Sequence, residues 1–197
     1  FSEQLIYIIN HANDKILIID LDLVPIIEKI INDCPNVEKL VILCSKEDLP
    51  STEFSAVISY EELLSMGNEN FEWITGEETD ACGICYTSGT TGNPKGVVYT
   101  HRSNTLHALT QAAPDMLNLS SSDTIMPVVP LFHANGWSIA YTAPLVGSSI
   151  VFPGGDLSPS SLYDMLEKGV TITAAVPTVW LLLLNFLESE KKELSSL

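Results

Sequence analysis

The sequence predicts an α/β fold of mostly parallel sheets flanked by helices. Short apolar runs, Ile16-Leu17-Ile18-Ile19 and Val41-Ile42-Leu43-Cys44, alternate with segments of helical periodicity. These runs are continuously apolar rather than alternating, as expected of parallel strands covered on both faces. Hydrophobic residues make up 46% of the 197-residue chain and charged residues 17%, which is enough to fill a substantial core and argues against disorder.

In chain order, residues 2–13 read as a helix, 16–19 as a strand, 22–33 as a second helix and 41–44 as a second strand. Residues 47–80 carry ten acidic side chains and no Lys or Arg, and are expected to form a solvated connector rather than a metal or partner site. Within it, Ser59-Tyr60-Glu61-Glu62 has the form of a capping box opening a short helix. Beyond it the pattern predicts strand 81–86, a glycine-rich loop, helix 101–113, strand 125–129 and an apolar helix over 136–146. Strand 149–152, helix 159–168 and strand 171–176 follow, with Ser158-Pro159 supplying an N-cap and a first-turn proline. Residues 169–187 have the length of a membrane span. Their β-branched first half and Pro177 instead predict a buried strand running into a buried helix, so no transmembrane segment is expected.

A formal net charge of −16 excludes a basic nucleic-acid-binding face and electrostatic docking on an anionic membrane. Cys34, Cys44, Cys82 and Cys85 are too sparse for a secreted disulfide framework, which points to a reducing, cytoplasmic setting. Cys82-Gly83-Ile84-Cys85 has CxxC spacing, but on a strand residues three apart face opposite sides; buried structural thiols are expected. His101 and His107, six residues apart on one helix, share no face well and read as structural. The chain opens at Phe1 on an amphipathic helix without a signal-peptide pattern, so it is expected to begin within a longer protein.

The chemistry concentrates in Tyr86-Thr87-Ser88-Gly89-Thr90-Thr91-Gly92-Asn93-Pro94-Lys95-Gly96. Glycines let backbone N–H groups approach phosphate oxygens, hydroxyls donate to them, and lysine supplies a compensating point charge. Between Lys46 and Lys168 the only basic side chains are Lys95 and Arg102. A plain surface loop is the alternative, but such a density of hydroxyls and glycines after a strand favours an anion site. The spacing matches neither the common P-loop nor the dinucleotide fingerprint: two residues separate Gly89 from Gly92, and Lys95 comes three later.

The segment Ile84 through Gly96 resembles the AMP-binding signature of the adenylate-forming superfamily, which includes acyl-CoA synthetases, luciferases and peptide-synthetase adenylation domains. Pro130-Leu131-Phe132-His133-Ala134-Asn135-Gly136-Trp137 resembles the aromatic segment of medium- and long-chain fatty acyl-CoA synthetases. Val176-Pro177-Thr178-Val179-Trp180, and the stretch from Glu3-Gln4 through Asn10-His11-Ala12 to Val41-Ile42-Leu43, also look like regions of those enzymes. The resemblance implies a partial N-terminal domain over 1–197, divided into an α/β segment (1–46), the acidic connector (47–80) and a phosphate-loop and acyl-pocket segment (81–197).

It further implies ATP, Mg²⁺ and coenzyme A, with a fatty or other carboxylic acid as substrate, and admits a homodimer of the full-length enzyme. By similarity Thr87, Ser88, Gly89, Thr90, Thr91, Gly92 and Lys95 hold the β- and γ-phosphates, and Thr87 supplies a hydroxyl ligand to Mg²⁺. His133 sits at the acyl end of the site, where the alternative is a backbone-satisfied core histidine. Trp137 resembles an aromatic gate, against ordinary core packing, and Gly136 leaves space for a chain. Lys95 and His133 are the catalytic candidates. The family's later elements are not found: the Thr-Glu pair for Mg²⁺, the ribose Asp, the hinge and the C-terminal Lys. The piece alone is therefore expected not to complete adenylation. A luciferase-like or amino-acid-adenylating enzyme, or a non-catalytic nucleotide- or acyl-binding module, are the rival readings.

Overall fold

The computed structural model describes residues 1–88 and 92–195. Two compact units emerge: Phe1–Thr75 with Tyr86–Gly96, and Gly76–Cys85 with the chain from Val97 onward.

In the first unit, helix Ser2–Ala12 leads into strand β1 (Ile16–Asp20), and β2 (Lys39–Leu43) and β3 (Val57–Ser59) complete a parallel sheet in the order β1-β2-β3. The helix turns Leu5, Ile6 and Ile9, spaced as one helical stripe, onto a core that includes Ile19, Leu40 and Ile42. The helix expected over 22–33 is broken. A four-residue α-helix, Val24–Ile27, lies between 3-10 turns at Leu21–Leu23 and Ile31–Asp33. Pro25 fits the first turn of that helix, and Ile30 leaves helical geometry at φ −120°. Val24, Ile27, Ile30 and Ile31 are nonetheless all buried. Three-residue spacing serves a 3-10 winding as well as an α-helix, so the apolar face survives although the α ladder does not.

The acidic stretch contains β3, which its sequence did not announce, and helix Tyr60–Ser65, which it did: Ser59 accepts the N–H of Glu62 at 3.1 Å. Residues 66–80 are exposed throughout.

Strands β4 (Ala81–Thr87) and β5 (Lys95–Thr100) pair as a two-stranded sheet. β5 is not predicted from the sequence, which gives no element between the end of the loop at Gly96 and the helix at 101. The buried-thiol expectation holds for Cys85 only. Cys82 is exposed, on the other side of the strand, where it accepts from Asn104 Nδ2 at 3.1 Å.

In the second unit, β6 (Thr124–Val128) is the centre of a parallel sheet ordered β7-β6-β8, with β7 at Ser149–Ile150 and β8 at Ile172–Ala175. The two-residue period of β6 sends Met126 and Val128 to one face, against Leu162, Leu166 and Leu183 of helices Pro159–Leu166 and Pro177–Glu190. Ile125 and Val129 go to the other face, against Leu119, Ile139 and Ala143. Ser158 caps its helix by accepting from Ser161 N at 3.4 Å. Helix Pro177–Glu190 is not the buried helix expected: Leu183 is 3% exposed, but Leu181, Leu182 and Leu184 are 61%, 58% and 54% exposed. Among the described residues, no helix is long and apolar enough to cross a membrane.

Candidate active site

The phosphate loop leaves β4 in the first unit. Tyr86, its first residue, lies 2.6 Å through its hydroxyl from Nδ1 of His11, on the last turn of the N-terminal helix, and the two rings meet edge to face. Burial, with Asp14 and Tyr7 nearby, pushes the Tyr86 phenol up from its usual value, so it stays a neutral hydrogen-bonding group. Thr87 and Ser88 are exposed; the Thr87 hydroxyl has the carbonyl oxygen of Lys95 at a long 3.5 Å, leaving its lone pairs available. Gly92 has φ +95°, a conformation that L side chains rarely adopt. Pro94 is buried and anchors the return, from which Lys95 opens β5 with an exposed side chain. Lys95 enters no ion pair among the described residues, whereas Arg102 is paired with Glu78 at 3.2 Å. Gly89, Thr90 and Thr91 lie outside the described residues.

The aromatic segment follows β6 in the second unit. Sequence periodicity predicted one helix over 136–146; the structure instead reverses hand there. Ala134, Asn135, Gly136, Trp137 and Ser138 all have positive φ, from 47° to 63°, before a right-handed helix, Ile139–Val146, begins. This is one left-handed turn. Each non-glycine residue in it carries about 1–2 kcal/mol of conformational cost. Asn135 and Gly136 suit the region, while Ala134, Trp137 and Ser138 do not.

His133 precedes the turn and is exposed, so it is not the core histidine of the alternative reading. Trp137 is 38% exposed, so it does not serve wholly as core packing. Gly136 is buried, and a Cβ there would stand 2.7 Å from Leu131 Cδ2. The smallness of Gly136 therefore admits Leu131 in this structure, and the space beside it is filled.

Phe132, Phe152, Leu157, Val176 and Val179 line an apolar cavity of about 490 Å³ together with residues 127–131. Its walls come from the chain just beyond the C-terminal ends of β6, β7 and β8, the edge at which open parallel sheets place their ligands. Two polar side chains that the sequence did not mark, Gln111 and Thr142, also organise this unit, together with Cys85. Gln111 Nε2 donates to the carbonyl of Trp137, the Thr142 hydroxyl donates to Gln111 Oε1 at 2.8 Å, and Cys85 Sγ donates to Asn135 Oδ1 at 3.4 Å. The sequence signal lay in helix His101–Gln111, where Asn104 and Gln111 share with Ala108 the spacing of a core-facing stripe. No group of three or more His, Cys, Asp or Glu suited to a metal occurs among the described residues.

Residues 2–197 match the AMP-binding enzyme family. The chain belongs to that family. A medium-chain-fatty-acid–CoA ligase from Ectopseudomonas oleovorans is 46% identical over 181 residues, covering 91% of this chain and 33% of that protein. A long-chain-fatty-acid–CoA ligase from Thermus thermophilus is 42% identical over 196 residues, covering 99% and 35%. The crystal structure of a long-chain-fatty-acid-CoA ligase from Archaeoglobus fulgidus superposes with a TM-score of 0.79 at 29% identity, over 95% of this chain and 35% of that one. The chain thus spans about a third of the length of the curated relatives it matches. The family resemblance and the parallel α/β architecture read from the sequence are both borne out.

Proposed function

We propose that the whole protein activates a fatty or other carboxylic acid with ATP, forming an acyl-adenylate and pyrophosphate, and then transfers the acyl group to the thiol of coenzyme A. The observation that carries this is Lys95. It is an exposed ammonium, without an ion pair among the described residues, closing a loop of glycines and hydroxyls in a chain that matches the AMP-binding family over residues 2–197. Attack of a carboxylate on the α-phosphorus brings anions together, so holding and neutralising the triphosphate is the main catalytic task.

Thr87, Ser88, Gly89, Thr90, Thr91, Gly92 and Lys95 hold the departing β- and γ-phosphates in this reading. Thr87, with its lone pairs free, fits as one oxygen ligand to Mg²⁺; substrate phosphates and water complete such a shell. His133 and Trp137 meet the acid, and Lys95 and His133 are the catalytic pair. The apolar cavity of about 490 Å³ beyond β6, β7 and β8 supports an acid with a hydrocarbon body, and the names of the relatives agree. Four free cysteines are consistent with a reducing cytoplasm.

The test is acid-dependent pyrophosphate release by the full-length protein with ATP and Mg²⁺, across straight-chain acids from short to long, followed by addition of coenzyme A. Release that depends on the acid, with acyl-CoA formed on addition of the thiol, is the expected result. If no acid supports release the proposal fails. Adenylation without thioester formation would favour the luciferase-like or amino-acid-adenylating alternatives.

A further inference from the structure

We infer that Gln111 is a positioning residue that clamps the left-handed turn 134–138 and thereby sets the presentation of His133 and Trp137 to the acid, without touching the acid itself. The inference rests on the acid-facing role proposed above for those two residues. Gln111 ends helix His101–Gln111 and is 7% exposed. The carbonyl of Trp137 can only accept, so the amide must aim Nε2 at it and Oε1 at Thr142. Thr142 is fully buried; its hydroxyl donates to Oε1 and has the Ser138 carbonyl at 3.0 Å as a second acceptor. The pair therefore grips two successive carbonyls at the point where the chain changes hand. At the other end of the turn, Cys85 holds the side chain of Asn135.

Ala134, Trp137 and Ser138 do not adopt positive φ on their own account, and such segments persist only where the surroundings fix them. The turn's own hydroxyl does not help: Ser138 Oγ is buried and has no partner among the described residues. The turn's own backbone closes Gly136 N–H onto the His133 carbonyl at 3.0 Å and Ser138 N–H onto the Ala134 carbonyl at 2.9 Å; the Gln111–Thr142 pair adds the side-chain clamp at its exit. Both side chains are buried, so their influence on a substrate passes through the backbone that carries Trp137.

The test uses the full-length protein and reads KM for acid and for ATP separately in acid-dependent pyrophosphate exchange. Gln111→Met keeps the length and removes both hydrogen bonds. It is expected to raise KM for the acid about tenfold while KM for ATP stays within about twofold. Thr142→Val should follow it and Thr142→Ser, which keeps the hydroxyl, should remain close to the parent. The Thr142 pair carries the comparison if Gln111→Met does not fold.

A second readout needs no turnover. With Trp73→Phe, Trp180→Phe and the same replacement of any tryptophan of the full-length protein outside these 197 residues, Trp137 is the single tryptophan read. Gln111→Met should then raise its acrylamide quenching constant about twofold as the turn loosens. Unchanged quenching, or acid and ATP constants that move together, would overturn the clamp. A parent protein that turns over no acid sinks the acid-activation reading instead, and the quenching arm still decides whether Gln111 holds the turn.

Discussion

Lys95→Ala removes an ammonium that is exposed and, among the described residues, paired with no carboxylate. Nothing buried is lost, so folding stability should move by no more than about 0.5 kcal/mol. Catalysis should respond quite differently. A charge-assisted hydrogen bond to phosphate is worth about 1.5–3 kcal/mol. A donor aimed at charge that develops in the transition state is worth about 2.7–4 kcal/mol, or about 10²–10³-fold. The next basic side chain in sequence, Arg102, is already held by Glu78 at 3.2 Å. That pair is exposed and worth under about 1 kcal/mol, so Lys95→Ala in an Arg102→Ala background separates any help from Arg102. The assay is kcat/KM for ATP in acid-dependent pyrophosphate release by the full-length protein, with urea unfolding of the same preparation alongside. Lys95→Arg keeps the charge but not the compact ammonium, and should fall between parent and alanine. A loss under about threefold with stability intact would refute a phosphate-gripping lysine. A stability loss above about 1.5 kcal/mol would make its role structural.

Two further outcomes follow from the second unit. Leu162 is 2% exposed beneath β6, so Leu162→Ala should cost about 3–4 kcal/mol in urea unfolding, whereas Leu182→Ala, at 58% exposure, should cost under about 1 kcal/mol; equal effects would mean the helices are not docked as described. Asp123 accepts from the Ser120 hydroxyl and backbone N–H at 2.7 and 2.8 Å and from Thr171 at 2.9 Å, which holds its carboxyl below the ordinary 3.8. A depressed carboxylate contributes stability that is complete above its unfolded value and lost as pH falls through its folded value. Asp123→Asn should therefore flatten the fall in urea midpoint on the acid side of 3.8, and an unchanged slope would count against the assignment.

The candidate phosphate loop stands out in the sequence because phosphate chemistry calls for residue types, glycine, hydroxyl and lysine, that are recognised without knowing the fold. The main strands were legible because a parallel sheet covered on both faces leaves continuous apolar runs. Even the helix caps at Ser59 and Ser158 could be read, since capping is a local exchange of hydrogen bonds within four residues. Other features lay beyond local reading. Val57-Ile58-Ser59 is too short to declare itself a strand until β2 lies beside it, and Lys95–Thr100 is a strand because β4 pairs with it. The Leu-rich helix looked buried, but only its Leu183 face meets the sheet.

The turn at 134–138 marks the boundary most sharply. Asn135 and Gly136 permit a left-handed conformation, and the apolar pattern continuing to residue 146 argues for an ordinary helix. We assign the choice to Gln111, 26 positions upstream of Trp137, and to Thr142 one turn beyond, both buried and within hydrogen-bond reach of carbonyls of the turn. The sequence by itself thus determined which atoms are available for chemistry, because those are fixed by residue type. Tertiary structure decided the hand of the backbone that presents them, because a left-handed segment of non-glycine residues persists only where contacts between residues far apart in sequence over-determine it.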